Sequence, residues 1–448
     1  MKVALIGAGG TRMPLLVHGL LVRQAAIGLD EIALVDTDAK RLDVMTALLG
    51  HLRAQASPGA DVRIAPATLD EALQGASFVF SAMRVGGALG RVKDERIPLG
   101  LGVLGQETTG PGGMAMALRT IPVAVDIARR LKRRSPGAWL INFTNPSGLV
   151  TEAVSDAGFS RVVGLCDAPS SLAHGIARFR GVDDGAISLS YAGLNHLGWA
   201  VDVKERGRSI LTELIALGES LVASVRPLNP FSAGLIRTIG CLPNEYLAYY
   251  YLRQATLAGI LAAKETRGEE LLRRESALYP ALAERLGAGD GVGALEVYGR
   301  FVSERRSGYM EREIGKRRPV GPESVFTEEG YEGLALRVMT GLAGAGAEEL
   351  VLNVRSPSPL GDGVIETTCT VDRGVTAHPW PGLPPHAMAL VQAVKTYERL
   401  TVKAVREGER KAAVEALLAH PLVGDHGVAT ALVDAFLVAH SSYLPAFH

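Results

Sequence analysis

The chain has 448 residues, 47% apolar and 21% charged, enough to bury a large core in one big α/β domain or in two lobes. Lysine plus arginine equals aspartate plus glutamate at 47 each, so net charge points away from nucleic acid and anionic membranes, and anion binding must be local. Three scattered cysteines, Cys166, Cys241 and Cys369, are too few for a disulfide framework and suit a reducing cytoplasm. No apolar run reaches the ~18 residues of a membrane span. Met1-Lys2-Val3 enters a strand at once, without a signal peptide's apolar region.

Lys2 to Ile6 reads as a buried strand ended by glycine. Gly7-Ala8-Gly9-Gly10-Thr11-Arg12 follows, then a helical run through Leu15, Leu16, Leu20 and Leu21. Strand, glycine turn and helix form the setting of a dinucleotide site, where Gly7, Gly9 and Gly10 let backbone amides approach a pyrophosphate. A tight βα turn without a ligand would look the same. Arg12 stands where the usual fingerprint has its third glycine. The next strand, Ile32 to Val35, ends at Asp36, placed to accept hydrogen bonds from ribose hydroxyls. A helical pattern runs to Gly50. The strand Phe78-Val79-Phe80 completes a third unit, and the alternation predicts a doubly wound parallel sheet.

Residues 84–113 read as a long, polar, glycine-rich loop holding Arg91 and Glu107, and loops of that length after a sheet strand usually carry function. Met114 to Arg134 predicts a helix kinked or divided at Pro122. Trp139 to Phe143 is a strand that stops at Thr144-Asn145-Pro146-Ser147-Gly148, at the sheet edge where such folds bind ligands. A turn is the plain alternative for Asn-Pro.

Arg161 to Leu165 delivers Cys166 beside Asp167, and a second apolar stretch ends in Gly193-Leu194-Asn195-His196. A thiolate and a neutral imidazole are a metal-binding pair that leaves positions open for substrate. Spacing alone favours the plainer reading, a buried inert thiol and an unrelated histidine. Beyond His196, helical patterns cover Leu211–Val225, Glu245–Ala263 and Gly268–Leu286. Arg305 to Arg318 is strongly charged and predicts an exposed helix or loop. Glu348–Val354 and Val364–Val371 read as strands, and Ala389–Arg406 and Lys411–Leu418 as helices. The reading is an α/β chain: a Rossmann-like domain over 1–200 that binds NAD, and a mostly helical α+β domain over 201–448 for substrate and oligomerisation.

These landmarks together resemble glycoside hydrolase family 4. The matching pieces are Gly7-Ala8-Gly9-Gly10, Arg91 through Pro98 with Gly105-Gln106-Glu107-Thr108-Thr109-Gly110, Asn142 through Gly148, Gly164-Leu165-Cys166-Asp167, Gly193-Leu194-Asn195-His196 and Pro243-Asn244-Glu245-Tyr246-Leu247. Thr266-Arg267-Gly268-Glu269 and Tyr397-Glu398-Arg399-Leu400-Thr401-Val402 also match. The likeness covers nearly the whole chain and is nearest to the family's 6-phospho-β-glucosidases. It implies NAD and a divalent metal, usually Mn²⁺, held by Cys166 and His196. It implies Tyr246 as the base at the sugar C2, Arg91 and Arg267 near a 6-phosphate, and Glu107 and Asn145 as substrate contacts. Asp167 departs from the Asn common in the β-specific enzymes and matches the general acid of the α-specific ones. Asn353-Val354-Arg355-Ser356-Pro357 departs too, since the family continues with Asn and Gly.

Most glycosidases use two carboxylates, and the NAD-dependent ones do not. The implied chemistry is oxidation at C3, proton removal at C2, elimination at C1, water addition and re-reduction. The implied substrate is a phosphorylated disaccharide or aryl glycoside, with no nucleic acid or membrane partner, in a homodimer or homotetramer. Two other readings share the N-terminal architecture: an NAD-dependent 2-hydroxy-acid dehydrogenase and an NAD-responsive regulatory protein. A tyrosine in the run Tyr246, Tyr249, Tyr250, Tyr251 is otherwise a core aromatic, and each arginine otherwise a surface charge.

Overall fold

The computed structural model describes residues 1–56, 61–315, 325–326 and 330–447. Short apolar runs ended by glycine or asparagine form the first strands: β1 (Lys2–Ile6), β2 (Glu31–Val35), β3 (Arg63–Pro66), β4 (Phe78–Ser81), β5 (Trp139–Asn142) and β6 (Val162–Gly164). They pair in parallel in the order β3-β2-β1-β4-β5-β6, with helices between them. This is the doubly wound sheet expected from the alternation. Its central strands β1 and β4 are buried on both faces and carry no polar alternation, while β3 at the edge is exposed at both ends.

The sheet does not stop at β6. β7 (Ile187–Leu194), β8 (Leu197–Glu205), β9 (Arg208–Ser209), β10 (Leu242–Pro243), β11 (Glu348–Ser358), β12 (Gly361–Val371) and β13 (Val375–Ala377) continue it as antiparallel strands. The joint is the pair Asn353↔Gly164, between β11 and β6. Asn353 donates to Glu366 Oε1 at 2.9 Å across the β11–β12 hairpin. The two halves thus share one sheet, and β8 runs through residue 200. Arg355, part of the noted departure, pairs with Asp156 and Asp362 beside the hairpin.

Several predicted elements differ. Residues 84–113 contain the helix Gly87–Gly100 before the true loop, because Arg91, Asp94 and Glu95 bury their charges as one face. Pro122 does not divide the helix Pro111–Arg134, which is continuous. Glu245–Ala263 is three short helices, and Leu211–Val225 is two. Arg305 ends the helix Gly291–Ser307 and is half-buried, not exposed; Lys316 to Arg318 lie outside the described residues. Among the described residues no helix is long and apolar enough to cross a membrane.

Buried charge is paired within the fold. Asp94 takes both ends of the Arg119 guanidinium at 2.8 Å. Lys395, 2% exposed, donates to Glu152, to Glu398 and to Val364 O. Removing one member of such a group leaves the others charged without a partner, which costs about 3–5 kcal/mol. Lys395→Met should lower the stability by that order. Urea denaturation followed by circular dichroism measures it.

Candidate functional site

One pocket of about 360 Å³ opens where the C-terminal ends of the parallel strands meet the helices of the second half. Its walls include Thr11, Arg12, Arg91, Glu107, Thr108, Asn145, Asp167, Tyr246, Arg267, Arg305 and Tyr331. Seven of the twelve residues singled out from sequence line it or pack on its lining, and each arrives from a different element.

The glycine turn lies at one side. Gly7 has φ +84° and a Cβ there would sit 2.7 Å from Ala82 O, so β1 and β4 cross too closely for a side chain. Gly10 N donates to Gly7 O, and Gly9 N donates to Asp36 Oδ2 at 2.8 Å. Asp36 Oδ1 accepts from Asp38 N, which holds the carboxylate at the end of β2. The hydroxyls of Tyr279 and Tyr298 donate to Gly9 O and Thr11 O and pin the turn from the second half. Amides at the start of the helix Met13–Val22 and the acid at Asp36 fit a dinucleotide. Arg12 does not close the turn as a third glycine would. Its guanidinium lies 4.5 Å over the Tyr331 ring and 3.6 Å from Glu332.

Cys166 follows β6 and is buried at the start of the helix Ala168–Arg180. His196 sits at the tip of the β7–β8 hairpin with φ +63°, a conformation rare outside glycine. Its tautomer follows from its neighbours. The Thr108 hydroxyl donates to Gln106 Oε1, so His196 Nδ1–H donates to Thr108 Oγ1 at 2.9 Å. Nε2 keeps its lone pair and has no hydrogen-bond partner. Burial pushes the imidazole pKa down to about 3, so the ring is neutral. Burial pushes the Cys166 thiol well up, with Glu366 and Asp167 adding to it, so the thiol keeps its proton unless a cation replaces it. No third His, Cys, Asp or Glu completes a cluster among the described residues. A free imidazole nitrogen and a displaceable thiol proton suit a metal with open positions for substrate.

Tyr246 lies flat on His196, ring centroids 3.7 Å apart and 3° from parallel. Tyr309 O–H donates to its hydroxyl at 2.9 Å. Burial raises the Tyr246 pKa well above the usual phenol range, and Cys166 and Glu245 raise it further. Burial likewise pushes Asp167 up to about 7, against the attraction of Arg12. Asn145 Oδ1 lines the pocket without a partner.

The cationic wall is built on carboxylates. Arg91 Nη1 meets Glu107 Oε1 at 2.8 Å, Arg84 meets Glu107 Oε2 at 2.6 Å, and Arg91 Nε donates to Glu95 at 2.8 Å. Arg267 donates to Glu270 at 2.8 Å. Sequence reading missed Glu95, Gln106, Thr108, Tyr309 and Arg305. Glu95, Gln106 and Thr108 lie inside stretches matched to the family; Glu95 reaches Gly268 and Thr108 reaches His196, both remote in sequence, while Gln106 bonds only its near neighbours Thr108 and Thr109.

Residues 2–182 match the family 4 glycosyl hydrolase pattern and residues 191–423 match its C-terminal domain. The chain belongs to the family 4 glycosyl hydrolases. It is 32% identical over its full length to a 6-phospho-β-glucosidase of Escherichia coli, covering 97% of that protein. It is 30% identical, again over its full length and 98% of the other chain, to a probable 6-phospho-β-glucosidase of Bacillus subtilis. In three dimensions it is similar to the 6-phospho-β-glucosidase of Thermotoga maritima crystallised with manganese, NAD⁺ and glucose 6-phosphate. The TM-score is 0.82, at 27% identity, with 99% of both chains covered.

Glu107 gives this family member a measurable acid sensitivity. Its burial opposes ionisation, but Arg84 and Arg91 win and bring its pKa down to about 2 from 4.5. A carboxylate held below its unfolded value stabilises the fold fully above pH 4.5 and loses that contribution as pH falls towards about 2. Glu107→Gln should therefore flatten the acid limb of the stability curve. Melting temperatures across that pH range test it.

Proposed function

We propose that this chain hydrolyses 6-phosphorylated β-glucosides with NAD⁺ and Mn²⁺. The observation that carries the reading is the stack of Tyr246 on a neutral His196 with a free Nε2, facing an arginine-lined pocket beside the dinucleotide turn. When bound, NAD⁺ accepts and returns a hydride at C3, and Mn²⁺ on Cys166 and His196 polarises the C3 oxygen. The identity of the metal rests on the relatives, because thiolate and imidazole alone favour a softer ion.

The chain's own groups do the rest. Gly7, Gly9, Gly10 and Asp36 seat the dinucleotide. Arg91 and Arg267 present planar donors to the phosphate. Glu107 and Asn145 orient the sugar hydroxyls. Tyr246 takes the C2 proton once C3 is oxidised, and Tyr309 supports the phenolic oxygen with its hydrogen bond. Asp167, near pKa 7, is partly protonated at neutral pH and hands its proton to the leaving oxygen. That same acid favours a second reading, the 6-phospho-α-glucosides. The reading includes a homodimer or homotetramer and a cytoplasmic setting, which three free thiols suit. Aryl glycosides serve as well as disaccharides if the leaving group faces solvent.

Hydrolysis of paired p-nitrophenyl α- and β-glucoside 6-phosphates, against the unphosphorylated glycosides, decides between the two anomers. Net NADH accumulation with a hydroxy acid would instead mark a dehydrogenase. Cofactor binding without turnover of any glycoside would mark a regulatory protein.

Cys166→Ser exchanges the thiol for a hydroxyl that does not ionise near neutral pH, so Mn²⁺ content after dialysis should fall sharply. Unchanged content would remove Cys166 from the site. In D₂O the product should carry deuterium at C2, with NAD⁺ needed only in catalytic amounts. Tyr246→Phe keeps the ring on His196 and should lower kcat about 10²–10⁴-fold with NAD⁺ binding intact. A fully protonated C2 would rule out elimination.

A further inference from the structure

Arg305 lies in the last turn of the helix Gly291–Ser307, on the wall of the pocket. Two bonds place it. Its Nη1 donates to Thr11 Oγ1 at 2.8 Å, and its carbonyl accepts from Arg267 Nη2 at 2.6 Å. It therefore stands between the dinucleotide turn and the first residue of the helix Arg267–Gly287.

Its charge sets it apart from Arg91, Arg267, Arg312 and Arg12. Arg91 is matched by Glu95 and Glu107, Arg267 and Arg312 by Glu270, and Arg12 by Glu332. Among the described residues Arg305 forms no ion pair, and its side chain has only the neutral hydroxyl of Thr11. Burial pulls its pKa down to about 9, Arg12 adds to that, Glu275 opposes it, and Arg267 and Arg91 add again. A guanidinium is otherwise charged under all ordinary conditions. A half-buried cation among cations gains most from an arriving anion. A cation already paired gains less, because the anion must share it with a carboxylate.

We propose that Arg305 is a third and the principal specificity-determining cation for the substrate's phosphate, acting beside the donors of Arg91 and Arg267. The assignment rests on the 6-phosphoglucoside reading and names the residue that reads the phosphate. Thr11 belongs to the dinucleotide turn, so the cofactor's pyrophosphate is a second source of the same chemistry, and the experiment separates the two.

Full-length Arg305→Gln and Arg305→Lys are compared with wild type. Glucose 6-phosphate binding is measured by calorimetry, NAD⁺ binding by fluorescence, and kcat and KM with p-nitrophenyl β-glucoside 6-phosphate on the NAD⁺- and Mn²⁺-loaded protein. Arg305→Gln should weaken glucose 6-phosphate binding and raise KM by about ten- to a hundredfold, with NAD⁺ affinity kept. Arg305→Lys keeps the charge and loses the fork of donors, so it should recover part of the loss. If the Gln variant does not fold, a several-fold KM increase in the Lys variant carries the test, and an unchanged KM there overturns the proposal. Unchanged glucose 6-phosphate binding in Arg305→Gln overturns it, as does a loss confined to NAD⁺. Wild type that binds no glucose 6-phosphate and cleaves no phosphorylated glycoside would overturn the parent reading; wild type that does both, with variants equal to it, overturns only this one.

Discussion

Glu95 accepts from Arg91 Nε through one oxygen and from the amide of Gly268 through the other, at 2.8 and 2.7 Å. It is 2% exposed, so neither bond is shared with bulk water. The first partner lies on the helix Gly87–Gly100 of the nucleotide half, and the second begins the helix Arg267–Gly287 of the other half. A buried carboxylate is stable only with such partners, and the N-terminus of a helix is a favourable one. One side chain therefore fixes the distance between Arg91 and Arg267, and through the carbonyl of Arg305 it bears on the third arginine too. The pocket is an electrostatic construction before it is a shape.

This explains how a motif can be readable while its reason is not. In Thr266-Arg267-Gly268-Glu269, Thr266 and Glu269 bond each other's amides as a capping box that opens the helix. A Cβ at Gly268 would stand 2.8 Å from Glu95 Oε2 and push that carboxylate from its place. Arg267 faces the pocket. The box is visible from spacing alone; the glycine needs Glu95, which lies 173 residues away. β1, β2, β4, β5, β6, β11 and β12 were legible for the converse reason, since each is a local apolar run with a turn signal after it, whereas the short β3, β9, β10 and β13 carry no such run. The helix Gly87–Gly100 was hidden because its buried face is charged, and apolar periodicity cannot report a face made of Arg91, Asp94 and Glu95. Tyr397-Glu398 belongs to the same class. Tyr397 O–H donates to Gly110 O and Glu398 holds Lys395, so this motif braces the loop from behind and never touches the pocket lining.

Crowding arginines costs stability that the carboxylates offset only in part. Glu270 serves Arg267, Arg274 and Arg312 at once, and Glu107 serves Arg84 and Arg91. Such sharing leaves a net positive pocket in a chain of zero formal net charge. The anion attraction that overall composition could not reveal is thus produced locally, by segregation of charge across the fold.

The protonation states beside that wall follow a common logic. Burial keeps the Cys166 thiol and the Tyr246 phenol protonated and the His196 ring neutral. Each of these is the uncharged form, which is what a water-poor site selects. A divalent cation bound to the thiol would favour the thiolate, while the imidazole is already in its ligating form. Tyr246 lies on the ring of His196, so a cation held by that ring in the proposed function would also act on the phenol. Without that charge the stack is an inert aromatic pair, held in place by Thr108 on one side and Tyr309 on the other.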